Sequence, residues 1–101
     1  MIIVTVEVAF KDDHIHGKTD AIAAMDTATA AEDGCQTYVT SFGATEPNTM
    51  RIYEMWDTME ALQAHFKTPH MATFQQALGG LDAGRMDTKV YDVAGELPFP
   101  H

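Results

Sequence analysis

The chain has 101 residues, 46% of them hydrophobic, which suits one packed domain near the lower size limit for a single core. Fifteen acidic against six basic residues give a formal charge of −9, and with no Lys or Arg cluster this excludes nucleic acid and anionic membrane surfaces as partners. The longest apolar run, Met1 to Val4, falls far short of the roughly 20 residues of a membrane span.

The first residues show neither the basic region nor the small-residue cleavage site of a secretory leader, so a cytoplasmic protein is expected. The single cysteine, Cys35, cannot close an internal disulfide, which suits a reducing compartment.

Ile2 to Phe10 alternates as a strand, with Ile2, Val4, Val6, Val8 and Phe10 on one face and Ile3, Thr5, Glu7 and Ala9 on the other. Lys11 to Lys18 reads as a polar loop. Thr19 or Asp20 can cap a helix whose inward row is Ile22, Met25, Ala28 and then Ala31 or Glu32. Gly34 is placed to end that helix in the left-handed conformation. Cys35 to Phe42 reads as a second strand, Gly43 to Thr49 as a turn, and Met50 to Trp56 as a third strand closing an antiparallel hairpin.

Asp57, with Glu60 three residues on, fits a capping box for a helix reaching Phe66 or Lys67. Thr68-Pro69 marks a fresh N-cap with proline at the first helical position, and Met71, Phe74, Leu78 and Leu81 continue at helical spacing. Arg85 to Ala94 returns to strand, and residues 96–101 form a proline-rich tail beyond a single domain over residues 1–95. The order β-α-β-β-α-β predicts an α+β, ferredoxin-like fold: a four-stranded antiparallel sheet with helices on one face. The other face keeps apolar residues from every strand whichever row of the first strand turns inward, which predicts a homodimer joined through the open sheet face.

Titratable residues supply the candidate chemistry. His65 suits proton transfer because an unperturbed imidazole titrates near neutrality; at a helix end it equally suits a favourable meeting with the helix dipole. Pro69 separates His65 from His70, so helical spacing does not place the two together. Trp56 reads either as a core aromatic or as one wall of an aromatic pocket. The His14-x-His16 pair has no cysteine nearby and no metal is expected there. Cys35 reads as a structural thiol, and Glu54 as a partly buried carboxylate paired with Arg51, Arg85 or a backbone N–H. No glycine-rich phosphate loop, nucleophile elbow, paired-cysteine site or flavin or nicotinamide fingerprint is present, so no cofactor is expected.

Three patches, Glu32-Asp33-Gly34-Cys35-Gln36-Thr37-Tyr38, Tyr53-Glu54-Met55-Trp56-Asp57 and Ala61-Leu62-Gln63-Ala64-His65, resemble the antibiotic biosynthesis monooxygenases. The resemblance implies a dimeric α+β barrel and cofactor-independent oxidation of a small quinol- or polyketide-like aromatic by molecular oxygen. It implies a site between sheet and helices, with His65 as base or anchor, His70 assisting, and Trp56, Tyr53 and Phe74 as apolar walls. Haem-degrading relatives carry an asparagine in the first strand; here Val6, Glu7 and Val8 stand there, which argues against haem chemistry. A cofactor-free isomerase or tautomerase, and a non-catalytic module binding a small ligand, are the competing expectations.

Overall fold

The even-numbered row of the first strand is the one that turns inward. In the computed structural model, which describes residues 1–100, Ile2, Val4 and Val8 are buried with Ile22 and Met25 of a helix, while Thr5 on the opposite row is exposed. His101, the end of the expected tail, lies outside the described residues. The elements are β1 (Ile2–Phe10), α1 (Thr19–Ala30), β2 (Cys35–Phe42), β3 (Thr49–Trp56), α2 (Met59–His65), α3 (Pro69–Leu78) and β4 (Ala83–Asp92). The sheet order is β2-β3-β1-β4 with every neighbouring pair antiparallel. This is the ferredoxin-like α+β arrangement, its second helical region divided in two by the Thr68-Pro69 break.

Register carries the inward face across the sheet. Ile2 pairs with Trp56, Val4 with Glu54, Val6 with Ile52 and Val8 with Met50, so alternate β3 residues share the helix side with the buried β1 row. Leu62 of α2 completes that core. Fully burying one such aliphatic side chain stabilises by about 1.5–3 kcal/mol. Asp26 of α1 adds a polar tie to edge strand β2, accepting from the Thr40 backbone N–H at 3.1 Å and its hydroxyl at 2.8 Å.

Several local features differ from expectation. Lys11 to Lys18 is not an open loop: His14–Lys18 forms a 3-10 turn that buries Ile15 completely. That turn leads straight into α1, so neither Thr19 nor Asp20 caps the helix, and the Thr19 hydroxyl donates back to His16 O. α2 is capped by Thr58, which accepts from the Ala61 N–H, and not by Asp57. Asp57 is engaged elsewhere: its N–H donates to Gly34 O and its carboxylate accepts from Gln36. α3 starts as expected, with Thr68 accepting from Met71 N–H and proline in the first turn.

β4 lies beyond the helical cover. Met86 and Val90 are 67% and 50% exposed although their register partners, Val8 and Val4, are buried. The tail follows β4 without regular structure, and its Leu97 and Phe99 are exposed. No helix among the described residues is long and apolar enough to cross a membrane.

Candidate active site

Three separate elements converge on one carboxylate oxygen. Glu32 sits in the turn between α1 and β2, His65 is the last residue of α2, and His70 lies in the first turn of α3. Glu32 Oε2 is 2.6 Å from His65 Nδ1 and 2.7 Å from His70 Nε2. A carboxylate oxygen accepts, so each imidazole donates one ring N–H to Glu32 and has its other ring nitrogen turned away from it. In His65 that other nitrogen, Nε2, is buried without a partner among the described residues.

Local sequence explains each position. The end of α1 brings Glu32 round through its N–H to Thr29 O, and Gly34 turns the chain into β2 with φ +80°, the left-handed region that favours glycine. The break at Thr68-Pro69 ends one helix and starts another, and the reversal lets His70 approach the oxygen that His65 already holds. Thr68 braces the junction by donating its hydroxyl to His65 O at 2.8 Å.

Aromatic rings enclose His65, which is only 1% exposed. Trp56 lies 4.9 Å from it and Tyr38 5.6 Å, centroid to centroid. Trp56 is itself fully buried, and its indole N–H donates to Glu54 Oε1 at 3.0 Å. Burial pushes the Glu54 carboxyl above its ordinary range, while the Trp56 hydrogen bond and His65 pull it down and Glu32 pushes it up. Burial, then the charges of Glu54 and Asp26, hold the Tyr38 hydroxyl far above the ordinary phenol range, so it stays protonated. Burial and the carboxylates of Glu32 and Glu54 likewise raise the Cys35 thiol, whose Sγ contacts Thr37 O; this is the setting of an unreactive thiol.

His70 is the accessible member of the group, its side chain 25% exposed. It lines a cavity of about 230 Å³ between α1 and α3 with Ala21, Ala24, Met25, Ala28, Thr73 and Phe74. The small alanines of α1 leave this space open, and Phe74 and Met25 make it apolar.

The expected site residues therefore divide. His65, His70 and Trp56 come together, and Phe74 shares the cavity with His70. Tyr53 does not join them: odd-numbered in β3, it lies on the open sheet face, beside a depression of about 290 Å³ shared with Glu7, Arg51, Asp87 and Lys89. The same parity corrects the expected partner of Glu54. Arg51 and Arg85 both reach Glu7 on the open face, whereas Glu54 faces the helices and is met by Trp56. His14 and His16 also part company, the first beside Asp12 and the second on Pro47 O against the Phe42 ring. In the sequence Glu32 stands as an alternative last member of the inward α1 row and as the first residue of a patch resembling the family, but not as a site residue; a carboxylate on an apolar stripe is the signal that marks it.

The model of the antibiotic biosynthesis monooxygenase family matches residues 1–77. The chain belongs to that family. A relative from Escherichia coli named "Probable quinol monooxygenase YgiN" is 28% identical over 75 residues, covering 66% of this chain and 72% of the relative. Among solved structures, a Deinococcus radiodurans protein carrying the same family name superposes with a TM-score of 0.88 at 23% identity, over all of both chains. Another from Nitrosomonas europaea gives 0.86 at 20% identity, covering 94% of this chain and all of its own. At these identities the two structures establish the shared fold.

Proposed function

We propose that this family member is a cofactor-independent monooxygenase that oxidises a small electron-rich aromatic, quinol-like or polyketide-like, with molecular oxygen. The observation that carries the reading is one partly buried carboxylate, Glu32, holding two imidazoles, one of which opens onto an apolar cavity. The name of the Escherichia coli relative supports the choice of a quinol.

On this reading the ring lies in the cavity against Phe74 and Met25, and His70 takes the hydroxyl proton on its free ring nitrogen. Glu32 stabilises the imidazolium that forms, and His65 anchors Glu32 from the buried side. The resulting phenolate is electron-rich enough to reduce oxygen. One oxygen atom enters the ring, the other leaves as water, and the substrate gives up two hydrogens overall as the quinol becomes a hydroxyquinone. The apolar walls limit the access of water to the reduced-oxygen intermediate. Trp56 supports His65 from behind, and Tyr53 takes no part on this side of the sheet.

A second copy of the chain belongs to the same reading. Met55, Ile3 and Tyr91 form one cross-strand row on the open face, and Met86 and Val90 of β4 stand uncovered by helices. Sheet-to-sheet pairing would cover the Met55–Ile3–Tyr91 row; Met86 and Val90 pair with Val8 and Val4 and so lie on the helix side of β4, outside that contact.

The test is oxygen consumption by chelator-treated protein with reduced naphthoquinols and anthrone-like phenols, against a heat-killed control. Uptake above the control that disappears in His70→Ala is the expected result. Absence of uptake across the panel would withdraw the oxygenase reading in favour of an isomerase or a binding module.

A further inference from the structure

We infer that Glu32, His65 and His70 also form a binding site for a divalent transition-metal ion of the zinc and cobalt class. One ligand atom from each residue lies within 4.8 Å of the other two, without any rearrangement of the backbone. Two imidazole nitrogens and one carboxylate oxygen form the donor set of borderline cations, whereas calcium and magnesium prefer oxygen alone.

Tetrahedral ligation with metal–ligand distances of about 2.0–2.2 Å spaces neighbouring donors roughly 3.3–3.5 Å apart. The two nitrogens stand 2.6 and 2.7 Å from Glu32 Oε2, so the carboxylate must withdraw by less than an ångström to admit an ion. The donors come from three elements that pack on one another, and a preorganised set of this kind loses little entropy on binding. Three protein ligands leave at least one coordination position for water or a ligand from solvent, on the side where His70 is exposed. The net charge of −9 draws cations towards the molecule.

Binding replaces two N–H donors to Glu32 with two nitrogen lone pairs on the metal. The ion and the proton-accepting form of the site therefore exclude each other. The inference concerns ligation alone and stands or falls independently of the oxygenase reading.

The experiment is titration of tag-free, chelator-treated protein with Co²⁺, followed by visible d–d absorption, with Zn²⁺ competition and thermal unfolding in parallel. One equivalent of Co²⁺ should give the intense bands of a low-coordinate nitrogen–oxygen site, displaced by Zn²⁺. His70→Ala and Glu32→Gln should each weaken apparent affinity about tenfold or more. His14→Ala, which removes the histidine of the exposed Asp12-Asp13-His14 group, should leave it unchanged. Absence of the bands, their survival in His70→Ala, or their loss in His14→Ala would overturn the assignment. Because His70 is partly exposed, its variant is expected to fold, and its melting curve without metal checks this directly.

Discussion

Gly34 and Ala61 meet with no room for a side chain between them: a Cβ at Gly34 would stand 2.7 Å from the Ala61 Cβ. The contact locks the α1–β2 turn onto α2, and with Gly34 O accepting from Asp57 N–H it sets Glu32 against the end of the helix that carries His65. Gly34→Ala combines that clash with a left-handed φ, and strain of this kind costs about 1–3 kcal/mol. In a domain of this size each 1 kcal/mol lowers Tm by roughly 4–8 °C. Gly17→Ala, where nothing lies within 4 Å, is the matched control and should change Tm little. Equal Tm values for the two variants would show that the Gly34 contact is not limiting.

Glu32→Gln removes the charge that stabilises imidazolium while nearly preserving volume. Turnover should fall by about 10²-fold with little change in KM, since Glu32 acts through His70 and not on the substrate. Steady-state oxygen uptake reads the split, and Glu32→Asp should recover part of the rate. A change confined to KM would assign Glu32 to substrate binding instead.

His65 and His70 should separate in stability. His65→Ala empties a fully enclosed ring site and should cost on the order of 3 kcal/mol or more. His70→Ala, partly exposed, should cost far less while abolishing turnover. Denaturant unfolding of the two variants side by side makes the comparison. Equal stability losses would contradict the difference in enclosure.

Glu54 gives a pH dependence whose sign follows from its burial. Its folded carboxyl titrates above the ordinary 4.5 of the unfolded chain, so between those two values the folded state binds more protons than the unfolded. This contribution is fully present below the unfolded value, is lost as pH rises through the folded value, and then levels off. Glu54→Gln should remove that slope and raise Tm at pH 7, while its amide oxygen still accepts from Trp56. A gain of about 1 kcal/mol would appear as roughly 4–8 °C. An unchanged pH profile in the variant would assign the slope to other groups.

The open sheet face makes the oligomeric state testable. Sedimentation at micromolar concentration should report a dimer, and Tyr91→Glu, a charge placed in the Met55–Ile3–Tyr91 row, should give monomer with the fold retained. A wild-type monomer would remove the sheet-to-sheet arrangement.

The sequence by itself determined the element order, the antiparallel hairpin, the left-handed conformation of Gly34 (though α1 ends earlier, at Ala30, and not at that glycine), the break at Pro69 and the cap at Thr68. Each of these is a local matter: side-chain period, a φ angle that glycine tolerates, or a hydroxyl three residues from an N–H. What lies between elements was decided by tertiary structure. The parity of β1 settled which row faced the helices, and with it placed Tyr53 on the far side and gave Glu54 to Trp56 in place of an arginine. Thr58 displaced Asp57 as cap because Gly34 and Gln36 had already claimed Asp57. Above all, Glu32 meets His65 and His70 across 33 and 38 residues of chain. No periodicity reaches that far, because the meeting depends on how α1, α2 and α3 dock on one sheet.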